Sequence, residues 1–178
     1  MKVVLTVADI WALRLLRPRT HELGGTFDID DEGIITNVRV HGGGACRDAS
    51  GKLLPGKICT VTHPSGPVMW HTHPRSNRPS SSDLRNSVTG NNTHIVATPL
   101  GVWAFRAASE LIARWASAGE DERRRFKLEW RFMGHQYQHD TQNGNTSGFL
   151  KWVKDAGFSV VYIPYTDIQH KSVWMLRL

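Results

Sequence analysis

Two imidazoles, a hydroxyl and a carboxylate lie close together in the chain: His71, Thr72, His73 and Pro74 are followed by Pro79, Ser80, Ser81, Ser82 and Asp83. Such a set can share one divalent metal. Residues 68–73 are apolar or β-tolerant and predict a strand, in which side chains two apart point the same way. His71 and His73 then form a chelating pair while Thr72 faces the opposite side. Pro79 and Ser80 read as the opening of a helix, with Ser80 as N-cap and Asp83 in the first turn, from which its carboxylate can return to the imidazoles. Two imidazole nitrogens and one carboxylate oxygen suit zinc, and three protein ligands leave a fourth tetrahedral position for water. Zinc held this way lowers the pKa of its water to about 7 and polarises a carbonyl, which is the chemistry of amide hydrolysis. The candidate base is Glu22 in the run Thr20, His21, Glu22, Leu23, Gly24, Gly25. It opens an apparent strand able to lie beside the metal-bearing one. Trp70, next to the ligands, is placed to wall the site.

The same residues also have plainer readings. Ser80 and Asp83 fit a capping box, in which both side chains satisfy backbone N–H groups at a helix start. That role is compatible with metal binding. A His, x, His pair in a strand is commonly a surface feature. Two histidines, a Pro-bounded turn and a Ser, x, x, Asp helix start within residues 71–83 together point to a metal centre.

His71, Thr72, His73, Pro74 and Pro79, Ser80, x, x, Asp83, with Glu22 upstream in a Glu, x, Gly, Gly setting, resemble the JAMM motif of MPN+ (JAB) metalloproteases. The resemblance covers residues 3–106. It implies an α/β (α+β) chain of the cytidine-deaminase-like MPN fold, with a mixed central sheet flanked by helices. It also implies that His71, His73 and Asp83 bind one zinc ion, that Glu22 handles protons for the metal-bound water, and that Ser80 stabilises the tetrahedral intermediate. The substrates implied are conjugates of ubiquitin or a ubiquitin-like protein, whose extended tail would align as an added strand. Residues 74–82 form a loop one residue shorter than is usual in the family, and the difference falls within residues 75–78 because Pro79, Ser80 and Asp83 keep their spacing. All ligands and the glutamate are present, which favours an active enzyme over a non-catalytic MPN scaffold. A DNA-associated protein of the RadC type shares a similar pattern, but nothing before His71 resembles the helix-hairpin-helix segment those relatives usually carry.

The elements that must position these residues follow from periodicity. A strand is predicted over 2–6 and a helix over 8–17, ended by Pro18. Residues 22–29 and 34–40 predict a hairpin about an Asp and Gly turn at 30–33. Residues 42–56, rich in glycine and polar side chains, read as a long surface loop. After the metal-site helix, strands are predicted over 93–98 and 102–106, closing a catalytic core at residues 1–108. Residues 109–178 read as an extension packed on the same domain: two helices over 109–139 broken at Gly119, a polar turn over 140–147, a helix about Phe149–Val153, and strands over 159–164 and 173–178.

The chain has 178 residues, 40% hydrophobic content and a formal net charge of +6 with a pI near 9.7, enough to bury a core and to favour acidic partners. Arg123, Arg124, Arg125 and Lys127 concentrate positive charge, but Glu120, Asp121, Glu122 and Glu129 flank them. A solvated helix laced with ion pairs explains this run, and no nucleic-acid partner is expected. His135 and His139, four apart, read as a solvated helical face. Cys46, Cys59 and His63 match no standard zinc spacing, and two cysteines make no disulfide framework. No segment reads as a signal peptide or membrane span, and the scarcity of cysteine points to a reducing cytoplasmic setting, that of the host if the chain is viral.

Overall fold

A computed structural model describes residues 2–17, 21–42, 45–47, 53–58, 66–169 and 173–177. The chain opens with β1 (Lys2–Thr6) and α1 (Val7–Leu16), whose start is closed by a capping box between Thr6 and Asp9. The predicted hairpin is present as β2 (Gly24–Ile29) and β3 (Ile35–Gly42), turned at Asp30, whose carboxylate accepts the N–H groups of Glu32 and Ile34. The expected loop after it instead contains a small antiparallel pair, β4 (Ala45–Arg47) and β5 (Leu53–Ile58). Glycine and Pro55 hid these strands, because such residues are depleted from strands and tolerated at their edges.

The central sheet continues with β6 (Val68–Thr72), α2 (Ser81–Gly90), β7 (Thr93–Ala97) and β8 (Gly101–Ala107). Helices α3 (Ser109–Ser117), α4 (Glu120–Gln136), α5 (Gln138–Gln142) and α6 (Ser147–Asp155) follow, then β9 (Phe158–Pro164), a 3-10 turn at Tyr165–Gln169 and β10 (Val173–Arg177). The break at Gly119 falls where the sequence predicts it. Helix α5 occupies part of the predicted polar turn, held by Thr141, which is buried and donates its hydroxyl to the carbonyl of Tyr137.

Strand order in the main sheet is β3-β2-β6-β7-β8-β9; β6 and β7 run parallel and the other neighbours antiparallel. The chain is thus a mixed α/β structure built on a six-stranded mixed sheet. Residues beyond 108 supply the edge strand β9, while β10 pairs with β1 in a separate two-stranded sheet.

Alternation along the strands divides the interior into two layers. Trp70, Ile95 and Ala104 are consecutive partners across β6, β7 and β8, and they face a core shared with Ile10 and Leu13 of α1, Leu5 of β1 and Trp174 of β10. One position along, His71, Val96 and Trp103 are partners. Val96 and Trp103 face a second core with Leu84 of α2, Leu111 and Trp115 of α3, Phe126 and Trp130 of α4, and Phe149 of α6. Trp70 therefore does not wall the site: it lies on the opposite face of the sheet from His71, fully buried against Phe27 with ring centroids 6.1 Å apart.

Candidate metal centre

His71 is the last-but-one residue of β6, on the helical face, and His73 follows one residue beyond β6, where its N–H still bonds the carbonyl of Ala97 at 2.7 Å. That bond extends the strand geometry by one more residue and keeps the two imidazoles on one side. Their Nε2 atoms lie 3.1 Å apart. Asp83 reaches both from the first turn of α2, with Oδ1 3.2 Å from His71 Nε2 and Oδ2 3.3 Å from His73 Nε2. Two ligands on a tetrahedral zinc with bonds of about 2.0–2.1 Å stand about 3.3 Å apart, so the three donor groups have the spacing of one face of such a site. All three residues are buried, and they form the one His, Cys, Asp or Glu group among the described residues that could hold a metal ion. The loop over residues 74–82 is long enough to allow this convergence.

The tautomer of His73 is set by its surroundings. Its Nδ1 lies 2.9 Å from the carbonyl oxygen of Arg78, an acceptor, so Nδ1 carries the proton and Nε2 is left with a lone pair for a cation. Ser80 and Asp83 form the capping box read from the sequence: Ser80 N–H donates to Asp83 Oδ2 at 2.6 Å, and Asp83 N–H donates to Ser80 Oγ at 3.2 Å. One carboxylate thus caps the helix and faces the imidazoles.

Glu22 precedes β2 instead of opening it, and its neighbour Leu23 is fixed to β6, the strand that carries His71. Thr72 N–H donates to Leu23 O at 2.8 Å, and Leu23 N–H donates to Thr72 Oγ1 at 2.9 Å. This brings Glu22 Oε1 to 3.8 Å from His73 Nε2. Of the two glycines that follow, Gly25 is pressed between neighbours. A Cβ on Gly25 would stand 1.7 Å from the carbonyl oxygen of Arg39 and 2.9 Å from Trp70 Nε1.

The electrostatics favour a positively charged occupant. Burial pushes the Glu22 carboxyl up, partly countered by His73 and His71. Burial also opposes ionisation of Asp83, but the charges and hydrogen bonds of His71 and His73 outweigh it and hold that carboxyl well below its usual range. For His73 burial works downward, and Asp83, Glu22 and the Arg78 carbonyl together raise it. Two carboxylates and two imidazoles in a buried pocket therefore stabilise positive charge between them.

Several supporting residues have no signature in the sequence. Trp103 Nε1 donates to Asn77 O at 2.9 Å. Asn77 Nδ2 donates to Gln142 Oε1 at 3.1 Å and to Gln142 O at 3.3 Å, and Gln142 Nε2 donates to Arg75 O at 3.0 Å. Arg17 Nη1 donates to Pro74 O at 3.1 Å. The loop between the histidines and Asp83 is thereby tied to α1, β8 and α5. Arg78 packs against α4 where Gly134 leaves room, since a Cβ there would lie 2.9 Å from Arg78 Nη1. His94 lies beside His71, its ring edge-on with centroids 6.2 Å apart, and stacks on Phe105 at 5.4 Å.

The other candidates are not assembled into a site. His135 lies on α4 and His139 on α5, both exposed, with the helix broken between them at Tyr137. Cys46 lies on β4, while Cys59 and His63 fall outside the described residues. Comparison with family models, with curated proteins and with solved structures finds no match. Among the described residues no helix is long and apolar enough to cross a membrane.

Proposed function

We propose that this chain is a zinc-dependent hydrolase of isopeptide or peptide bonds, of the JAMM type within an MPN fold, acting on conjugates of ubiquitin or a ubiquitin-like protein. The observation that carries the reading is the convergence of His71 Nε2, His73 Nε2 and the Asp83 carboxylate within 3.3 Å, with Glu22 alongside. Strand β6 leading into the capped helix α2, within a six-stranded mixed sheet, supports the fold part of the reading.

When bound, zinc supplies a Lewis-acidic pole that acidifies a water and polarises a carbonyl. His71, His73 and Asp83 would hold it. Glu22, its affinity for protons raised by burial, takes the proton of the attacking water and delivers it to the leaving nitrogen. Ser80 Oγ accepts the Asp83 N–H and keeps its own hydroxyl proton for the carbonyl oxygen as negative charge develops there.

Metal analysis is expected to find one zinc per chain, lost in His71→Ala and in Asp83→Ala. Glu22→Gln is expected to keep the metal and lose cleavage of a fluorogenic ubiquitin conjugate. Full activity in Glu22→Gln removes that residue from the mechanism. A zinc-loaded chain that cleaves no conjugate is a scaffold instead.

A further inference from the structure

The cations of α4 are not paired as the sequence suggests. Among the described residues Glu122 meets Arg114 of α3, and no carboxylate lies within ion-pair distance of Arg85, Arg124, Lys127 or Arg131. All four side chains are exposed. Arg85 of α2 lines one surface cleft with Ser81 and Ser82 of α2 and Lys127, Leu128 and Arg131 of α4. Ser81 and Ser82 lie between Ser80 and Asp83, so the cleft begins where the metal centre ends.

The geometry points to this cleft as the docking site for an acidic, partly apolar segment of the polypeptide substrate. The inference rests on the hydrolase reading for the word substrate, but the binding stands on the surface alone. Cations without a carboxylate partner on two facing helices, Lys127 among them with its Nζ 6.0 Å from the Trp115 ring, select an anionic partner by charge complementarity. The cleft volume, about 170 Å³, is below the roughly 300–1,000 Å³ of small-molecule sites, so it suits side-chain anchors. Leu128 and Phe132, one helical turn apart, are 58% and 65% exposed beside the cations. They offer an apolar strip that a phosphodiester backbone would leave uncovered. Arg124 to Arg131 spans about 10 Å of helix, and the stripe ends at Glu120, which lines the adjoining cleft with Arg123, Arg124 and Lys127. A long polyanion would run onto that carboxylate, whereas a short segment with a few acidic side chains would not.

The test is fluorescence anisotropy with the zinc-loaded full chain and a short labelled peptide of glutamates interrupted by leucines. Its lysine counterpart and a single-stranded oligodeoxynucleotide of equal charge serve as controls. The acidic peptide is expected to bind, to weaken as salt is raised, and to weaken about tenfold or more when Arg85→Glu, Lys127→Glu and Arg131→Glu are combined. A triple glutamine variant, checked by circular dichroism, serves if the reversal misfolds. Equal binding to wild type and variant overturns the proposal, as does an oligonucleotide that binds more tightly than the peptide. His71→Ala is expected to leave docking intact, which separates this surface from the metal reading. With a cleavable conjugate carrying an acidic tail, the triple variant is expected to raise KM and leave kcat unchanged. Peptide docking without any cleavage would end the hydrolase reading and keep the docking surface.

Discussion

Gln142→Ala probes whether the C-terminal helices hold the metal-site loop in place. The Gln142 side chain makes two hydrogen bonds to that loop, accepting from Asn77 Nδ2 and donating to Arg75 O. Its backbone carbonyl also accepts from Asn77 and survives the substitution. Two bonds at about 0.5–1.5 kcal/mol each give about 1–3 kcal/mol. The lower half applies, because Gln142 is exposed, water can replace it at Arg75 O, and Asn77 keeps one acceptor. A loss of about 1–2 kcal/mol in a chain of this size lowers Tm by about 2–8 °C.

The informative quantity is metal affinity. Arg78 O fixes the tautomer of His73, and outer-shell partners of this kind are worth about 10–100-fold in affinity. Gln142 acts one step further out, through the loop, so a weakening of about threefold to tenfold is expected. Competition with a chromogenic chelator measures it, and thermal melts with and without EDTA give the stability. Gln136→Ala, on the exposed end of α4, should change neither quantity. A variant that melts earlier yet binds zinc as tightly as wild type would show that α5 stabilises the fold without positioning the ligands.

Trp103→Phe removes the five-membered half of the buried indole together with its donor to Asn77 O, so a cavity and a lost hydrogen bond should together cost about 2–5 kcal/mol in denaturant unfolding. An unchanged midpoint would mean that this buried bond contributes nothing. Gly25→Ala must push β2 and β3 apart, since its Cβ would overlap a backbone carbonyl; a loss of about 3 kcal/mol or more is expected, and near-wild-type stability would refute the close approach. Burial pushes Tyr162 and Tyr165 up to about 12, helped in Tyr162 by Asp167 and opposed in Tyr165 by Arg17 and Arg14. Their neutral forms are favoured by folding, so this contribution is complete below the ordinary tyrosine pKa near 10 and is lost as pH rises toward about 12. In a Tyr137→Phe background, absorbance at alkaline pH should show their phenolates forming together with unfolding, and ionisation near pH 10 in that folded chain would contradict it.

Features governed by local chemistry were legible in the sequence. The hairpin at residues 30–33, the break at Gly119 and the Ser80 cap depend on turn and capping residues a few positions apart, and each forms where predicted. The side of the sheet on which a residue falls was legible only in part. Alternation places His71 and Trp70 on opposite faces, but neither face can be matched to a layer until β7, β8 and the helices are in register. Asn77, Gln142 and Trp103 carried no signal, because their bonds join residues 26 to 67 positions apart and use ordinary amides and an indole. The ion pairs expected within α4 did not form, and Glu122 pairs with Arg114 of α3 instead, since spacing permits i,i+4 contacts without requiring exposed side chains to make them.

The same capping box occurs twice in this molecule, and the two differ in how their side chains are used. Thr6 and Asp9 exchange the same backbone bonds as Ser80 and Asp83, with Asp9 N–H to Thr6 Oγ1 and Asp83 N–H to Ser80 Oγ both at 3.2 Å. In the first box the Thr6 hydroxyl also donates to Asp9 Oδ2 at 2.6 Å, so its proton is spent within the cap. Asp83 instead turns both oxygens toward the imidazoles, and Ser80 Oγ donates to no described residue. Thr6→Ala and Ser80→Ala should therefore each cost about 1 kcal/mol of stability. Only Ser80→Ala should also lower kcat for a ubiquitin conjugate, with zinc retained, by about 10²-fold if its proton serves the developing oxyanion. Equal kcat in both variants, with equal loss of stability, would reduce Ser80 to a cap and leave the oxyanion to other groups.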